Sequence, residues 1–118
     1  MKLFDSHAHY NDERFKEDID TIIQENYNKG ITKTTCAGYS LNSSKQAIEI
    51  ANKYDYIYAT VGISPNDLSE NTLEELKEIE KLAKNEKVVA IGEIGLDYYW
   101  NKENKELQKE IFAKQIEI

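Results

Sequence analysis

The segment Val88-Val89-Ala90-Ile91-Gly92-Glu93-Ile94 decides the fold class, because it is short, apolar and rich in β-branched residues. Such a run, bounded by polar residues, predicts a buried β-strand. It is the last of four similar runs, whose first residues lie at positions 2, 31, 56 and 88. The earlier runs are Lys2–Ser6, Ile31–Ala37 and Tyr56–Ile63. Their separation of 25 to 32 residues is typical of a repeated unit of one strand and one helix.

The polar segments between these strands predict helices, since their apolar residues recur at spacings of three and four. The first helix carries such a stripe from Phe15 to Tyr27, with Asn11 or Asp12 available as its cap and Gly30 as its terminator. A second helix is expected from about residue 42 to residue 53.

Two further helices are predicted in the second half of the chain. Asn71-Thr72-Leu73-Glu74 predicts the start of the third, because it resembles a capping box in which Asn replaces Ser or Thr. The last is expected to begin near Lys102 or Glu103. Spacing predicts two sets of inner residues, namely Leu73, Leu76 and Ile79 in the third helix and Leu107, Ile111 and Ile118 in the last.

The order of these elements predicts an α/β fold. Strands that alternate with helices favour a parallel sheet, because parallel neighbours need a crossover connection and the helix supplies it. Two architectures fit, an open doubly wound sheet and part of a (β/α)8 barrel. A complete barrel needs about 250 residues, whereas this chain has 118. We therefore expect one domain over residues 1–118 with about four βα units.

Composition excludes several classes of function. The chain has 22 acidic and 15 basic residues, a net charge of −7, and Arg14 is its one arginine. This balance argues against broad electrostatic binding to nucleic acid, which needs clustered Lys and Arg. No apolar run approaches the roughly 18 residues of a membrane span. Because the single Cys36 cannot form an internal disulfide, we expect a reducing compartment, the cytoplasm, and no membrane contact.

The two histidines of the chain, His7 and His9, lie two residues apart at the end of the first predicted strand. Side chains at this spacing point to the same side of a strand, so Asp5, His7 and His9 share one face. Neutral imidazoles placed in this way can bind one divalent ion, and a nearby carboxylate can fix the tautomer. The alternative is a pair of hydrogen-bonded polar side chains near a strand end.

Glu93 interrupts an otherwise apolar strand end, where an uncompensated carboxylate costs several kcal/mol. We therefore expect a metal, a cation or several hydrogen-bond donors beside it. The carboxyl ends of parallel strands meet at one rim, so His7, His9 and Glu93 are expected there together. Ser64 opens a turn on the same rim, and Asp97 is either a surface acid or a functional one.

Three motifs follow one another along the chain. They are Asp5-Ser6-His7-Ala8-His9, Val61-Gly62-Ile63-Ser64-Pro65 and Gly92-Glu93-Ile94-Gly95-Leu96-Asp97-Tyr98-Tyr99. Together they resemble the N-terminal half of the TatD family of metal-dependent deoxyribonucleases, in the amidohydrolase-like superfamily. The resemblance implies a (β/α)8 TIM-type barrel and a hydrolase that cleaves phosphodiester bonds of DNA.

The resemblance also implies roles for individual residues. His7 and His9 would bind one metal ion, and Glu93, the catalytic residue, would bind or bridge two. For the complete enzyme these ions would be divalent Zn, Mg or Mn.

Other residues would act around those ligands. Asp5, Ser64 and Asp97 would support the ligands or contact the substrate. The family often has His where this chain has Ser64 and Arg where it has Trp100, so the resemblance is weaker for substrate binding.

The resemblance bears on length as well. The chain stops inside its fourth predicted helix, so we expect it to be the front half of a longer protein and to be inactive by itself. A half barrel leaves two edge strands unpaired, and it should therefore self-associate or be only marginally stable. Two other functions remain open, a related hydrolase of amide, ester or lactone bonds and a catalytically inert assembly or binding module.

Overall fold

The computed structural model describes all 118 residues, and its centre is a four-stranded sheet. The strands are β1 (Leu3–Ala8), β2 (Ile31–Ala37), β3 (Ile57–Val61) and β4 (Val88–Ile91). They lie side by side in chain order, and each neighbouring pair is parallel. The predicted parallel α/β fold is confirmed.

A helix follows each strand. These are α1 (Ile19–Asn28), α2 (Leu41–Lys53), α3 (Thr72–Leu82) and α4 (Lys105–Glu117), with a short 3-10 turn at Glu13–Phe15. The longest helices have 13 residues, so none could cross a bilayer.

The first helix is shorter than its apolar stripe predicted. Phe15 lies in the 3-10 turn, and the carboxylate of Asp12 caps that turn by accepting from the backbone N–H of Arg14. The predicted terminator is confirmed, because Gly30 adopts a positive φ of 109° and its N–H donates to the carbonyl of Tyr27.

The predicted start of α3 is wrong in its chemistry. The Asn71 side chain makes no capping hydrogen bond. Instead the hydroxyl of Thr72 accepts from the N–H of Ser69, and the hydroxyl of Ser69 accepts from the N–H of Asn71. Leu73, predicted to be buried, is 46% exposed, whereas Leu76 and Ile79 are buried as predicted.

The last helix begins at Lys105, two or three residues later than predicted. Ile111 is buried as expected, but Ile118 is exposed. The other buried residues of α4 are polar, Gln108 and Gln115, which lie two turns apart on one face. A search for apolar periodicity does not select glutamines, so the inner face of α4 was only partly predicted.

The core lies between the sheet and the helices. Along β3 the alternate residues Ile57, Ala59 and Val61 are fully buried, and α2 packs over this strand. Cys36 of β2 joins the same core, and burial raises the pKa of its thiol to about 11. This thiol stays protonated at neutral pH and acts as a small apolar side chain.

The sheet is open at both edges. β1 and β4 each have one neighbour, so one side of each strand presents unpaired backbone groups. Apolar side chains on these edge strands are exposed, namely Leu3 and Phe4 on β1 and Val89 on β4. A sheet that continued into a closed barrel would cover these edges.

Candidate metal centre

The two outer strands of the sheet carry the candidate ligands at their carboxyl ends. His7 lies in β1, His9 follows that strand directly, and Glu93 lies two residues beyond β4. In a flat sheet the outer strands of four would be about 14 Å apart, at three spacings of about 4.8 Å. The side chains nevertheless meet, so the sheet curls towards this end as a barrel wall does.

Three ligand atoms converge at this point. The Nε2 atom of His7 lies 2.7 Å from Oε1 of Glu93 and 3.2 Å from Nε2 of His9. The Nε2 atom of His9 lies 3.2 Å from the same carboxylate oxygen. His7 is exposed, while His9 and Glu93 are partly buried, so the triangle opens to solvent on one side.

These donors fit a divalent cation. Ligand atoms about 2.0–2.1 Å from one tetrahedral zinc ion lie about 3.3 Å from each other, close to the observed separations. When each Nε2 atom is unprotonated, both imidazoles and the carboxylate oxygen offer lone pairs at this point, and a shared cation would satisfy them. Mixed nitrogen and oxygen donors suit several divalent metals and leave the choice of ion open.

A nearby carboxylate was expected to hold a ring N–H of an imidazole and so fix its tautomer, but Asp5 does not do this. Asp5 uses its Oδ1 atom to accept from the backbone N–H of His7, at 3.2 Å, and makes no hydrogen bond to an imidazole. The Nδ1 atom of His9 is buried without a partner. The ring of Tyr39 packs edge-on against that of His9, with the centroids 5.7 Å apart.

The electrostatics of this rim favour cations. Burial is the main reason that the pKa of the Tyr39 phenol is raised, and nearby carboxylates raise it further. These carboxylates belong to Asp12, Asp67, Glu93 and Glu13. Their combined negative potential would attract a metal ion and repel a free phosphate.

The backbone of Glu93 is held by the ends of the two inner strands. Its N–H donates to the carbonyl of Gly38, after β2, at 2.6 Å. Gly62, after β3, lies so close that a Cβ there would be 2.8 Å from the carbonyl carbon of Gly92. The hydroxyl of Ser44 fixes Gly62, because this hydroxyl accepts from the N–H of Gly62 and donates to the carbonyl of Gly62.

Helix α4 holds the two rim loops through its buried glutamines. The Gln115 amide pairs with both backbone groups of Ile63, accepting from the N–H at 2.7 Å and donating to the carbonyl at 2.9 Å. Gln108 makes the same double contact with Asp97, at 2.9 and 3.0 Å. Each glutamine thus replaces a missing backbone partner inside the core.

Ser64 and Asp97 organise these loops and make no hydrogen bond to the three candidate ligands. The Ser64 hydroxyl accepts from the N–H of Asn66, and the Asp97 carboxylate accepts from the Asn66 amide at 3.1 Å and from the N–H of Tyr99 at 2.9 Å. These bonds, the one from Asn66 above all, lower the pKa of Asp97, which therefore stays ionised.

Sequence reasoning missed five residues of this arrangement. They are Gly38, Ser44, Gly62, Gln108 and Gln115, all of which act through backbone contacts. Only the glycines gave a signal, since an isolated glycine at a strand end can mark a close backbone approach.

The parallel βα units and the side chains that converge at their carboxyl ends match one class, the (β/α) barrel proteins, whose sites lie at that end of the strands. The chain belongs to the TatD related DNase family, whose family model matches residues 4–118. The family resemblance drawn from the three motifs is thereby confirmed.

Two curated relatives illustrate the range of this similarity. An uncharacterised metal-dependent hydrolase of Bacillus subtilis, YabD, is 40% identical over 98% of this chain and 46% of its own length. The 3'-5' ssDNA/RNA exonuclease TatD of Escherichia coli K12 is 31% identical over 98% of this chain and 45% of its own length. The chain therefore spans about half the length of the curated relatives it matches.

Solved structures agree on the fold. The TatD homologue YJJV of Escherichia coli K12 aligns with a TM-score of 0.83 and 26% identity, over 98% of this chain and 45% of that one. A TatD family hydrolase of Entamoeba histolytica aligns with a TM-score of 0.82 and 30% identity, over 98% and 44%. The expectation of the N-terminal half of a (β/α)8 barrel is confirmed.

Proposed function

We propose that the protein acts in metal-dependent hydrolysis of phosphodiester bonds in DNA, with His7, His9 and Glu93 as metal ligands. The observation that carries this proposal is the convergence of two imidazole nitrogens and one carboxylate oxygen within 2.7 to 3.2 Å. Membership of the TatD related DNase family supports the same chemistry, as does the name of the Escherichia coli relative.

Two ions, drawn from Zn, Mg or Mn, are part of this proposal. Bound divalent ions lower the pKa of water and neutralise charge on a phosphate and its leaving oxygen. They would also supply the positive charge that a protein of net charge −7 lacks. Three side chains suffice for one ion, so a second would need further ligands besides Glu93.

The remaining roles belong to this chain's own residues. Glu93, held by Gly38 and Gly62, directs one carboxylate oxygen at both imidazoles and acts as the catalytic residue. Asp5 orients the backbone of the first ligand, while Ser64 and Asp97 shape the loops beside which a substrate would lie. Because its one cysteine is a buried free thiol, we place the protein in the cytoplasm.

Self-association is a second part of the proposal. The specific observation in its favour is the pair of open sheet edges with exposed apolar side chains. Such edges pair readily with other strands. A 118-residue chain that only assembles, without catalysis, is the rival function that this observation favours.

A metal titration tests the ligand set directly. We expect zinc or manganese to bind stoichiometrically by calorimetry, and the double variant His7→Ala, His9→Ala and the single variant Glu93→Gln to lose at least about tenfold in affinity. Glu74→Gln is the matched control, because this exposed glutamate lies on α3 and pairs with Lys77. Unchanged affinity in the ligand variants would refute the site.

Hydrolysis is tested separately with a labelled DNA strand and with small esters, lactones and cyclic amides. We expect DNA alone to be cut, in a metal-dependent way, by a protein that carries this segment with a complete barrel. Cleavage of the small substrates instead would favour the related hydrolase, and the absence of both stoichiometric metal and hydrolysis would favour the assembly module.

A further inference from the structure

The imidazole of His9 lacks the hydrogen bond that usually orients a metal-binding histidine. Such a histidine normally donates from its second ring nitrogen to a carboxylate, a carbonyl or a water, which fixes the ring. In His9 the Nε2 atom lies 3.2 Å from Nε2 of His7 and from Oε1 of Glu93, so Nδ1 is the second nitrogen. No protein group pairs with this buried Nδ1 atom. A contact of another kind therefore has to hold the ring.

Two aromatic rings contact the imidazole of His9. The ring of Tyr39 meets it at 66°, with the centroids 5.7 Å apart, and the ring of His7 meets it at 71°, with the centroids 5.0 Å apart. Both are edge-to-face arrangements, in which the positive edge of one ring is attracted to the negative face of the other. Since Tyr39 is not a candidate ligand, its ring can orient His9 with or without a bound ion.

The backbone of Tyr39 is fixed between two elements of the fold. Its N–H donates to the hydroxyl of Ser43, in the first turn of α2, at 2.8 Å. Its carbonyl accepts from the N–H of Ser64, after β3, at 2.8 Å. Ser43 is itself buried and forms a capping box with Ser40 at the start of α2. These bonds fix the point from which the half-buried ring of Tyr39 extends towards His9.

We propose that Tyr39 is a positioning residue of the candidate metal centre, whose ring replaces the missing hydrogen-bond partner and keeps Nε2 of His9 directed at Glu93. This inference rests on the proposed function and adds a residue to it. The contact is made between the two rings, and no hydrogen bond joins the two side chains. The ring of Tyr39, rather than its hydroxyl, should therefore matter, and phenylalanine should replace tyrosine at this position.

Zinc affinity, measured by calorimetry, separates the ring from the hydroxyl. We expect Tyr39→Leu to weaken zinc binding about tenfold or more, the effect typical of losing an outer partner of a metal-bound histidine. Tyr39→Phe keeps the aromatic contact and should bind zinc within about twofold of the unsubstituted protein. Equal affinities for all three proteins, or a loss in Tyr39→Phe as large as that in Tyr39→Leu, would overturn the proposal.

Tyr27→Leu is the matched control. Tyr27 also packs against another ring, that of Tyr56, with the centroids 4.4 Å apart, but this pair lies at the amino ends of the strands. The substitution therefore removes a ring contact away from the candidate ligands and should leave zinc affinity unchanged. Urea unfolding of each variant ensures that folded proteins are compared. If Tyr39→Leu does not fold, Tyr39→Met, which fills the space with a flexible side chain, takes its place.

A measurement on the metal-free protein tests the orientation of the ring by itself. His7 and His9 are the two histidines of the chain, so the NMR signals of their rings are readily assigned. Carbon relaxation should show an ordered His9 ring in the unsubstituted protein and in Tyr39→Phe, and a mobile one in Tyr39→Leu. An equally ordered ring in Tyr39→Leu would overturn the proposal. A protein that fails to bind zinc although Tyr39 orders the His9 ring would refute only the metal site.

Discussion

Gly62 leaves no room for a side chain at the point where three strand ends meet. A Cβ there would lie 2.8 and 2.9 Å from the carbonyl carbon and oxygen of Gly92 and 3.1 Å from the carbonyl oxygen of Glu93. Because these neighbours are backbone atoms, Gly62→Ala must displace the strand end that carries Glu93. We predict a loss of about 1–3 kcal/mol in the free energy of unfolding, together with weaker metal binding.

Gly92→Ala is the matched control for this substitution. A Cβ at Gly92 meets nothing closer than the Thr60 side chain at 3.8 Å, which is ordinary contact. Urea unfolding and zinc titration of both variants make the comparison. Equal effects on stability and affinity would contradict the steric explanation.

At the scale of single residues, the sequence indicated the candidate ligands but not the backbone contacts that hold them in place. His7, His9 and Glu93 were predicted to lie together because the carboxyl ends of parallel strands share one rim. The contact of Gly62 with the Gly92–Glu93 backbone depends on the curvature of the sheet, which residue patterns do not encode. Ser44 was missed for the same reason, since a helical serine gives no sign of the backbone it will meet.

Among the helices, α4 differs most from its predicted pattern. Spacing predicted an apolar inner face, and Ile111 follows it, but Gln108 and Gln115 occupy the same face. Their amides satisfy backbone groups of the rim loops, so polarity inside the core is compensated. The start of α3 was also not predictable from residue spacing. Whether Asn71 or Thr72 supplies the hydrogen-bonding side chain depends on the preceding turn.

The contact between α4 and the loop after β3 makes a quantitative prediction. Gln115→Met keeps the length of the side chain but removes both of its hydrogen bonds, and leaves the N–H and carbonyl of Ile63 buried without a partner. We expect a loss of about 2–6 kcal/mol in the free energy of unfolding, at about 1–3 kcal/mol for each of the two unsatisfied groups.

Gln24→Met is the corresponding control. Gln24 is exposed on α1 and bonds only to Asn28, so its replacement should change stability by less than about 0.5 kcal/mol. Urea unfolding monitored by circular dichroism compares the two variants. Similar losses for both variants would show that the Gln115 contact does not contribute to the free energy of unfolding.

Hydrophobic periodicity predicted the overall fold more completely than it predicted the ends of the individual strands. Four βα units with parallel strands were predicted because a crossover helix is the only short way to join parallel neighbours, whereas the strand order β1-β2-β3-β4 comes from the structure. The exact strand ends were not, since β1 runs on to Ala8 whereas β3 stops at Val61 and β4 at Ile91. These three differences lie at the rim, where loop contacts rather than apolar alternation determine where pairing ends.

The open edges of the sheet carry the last prediction. β1 and β4 expose unpaired backbone groups beside Leu3, Phe4 and Val89, the last of which is 56% exposed. Burying these groups against another copy removes apolar surface from water and pairs the free backbone groups of the edge strands.

We expect the 118-residue chain to sediment as a dimer or larger species at micromolar concentration. Val89→Lys should shift it towards monomer, because a charge on the edge opposes pairing. Leu73→Lys, which alters an exposed leucine on α3, should leave the distribution unchanged. A strictly monomeric chain with a sharp, cooperative thermal transition would show that four strands suffice and that the edges need no partner.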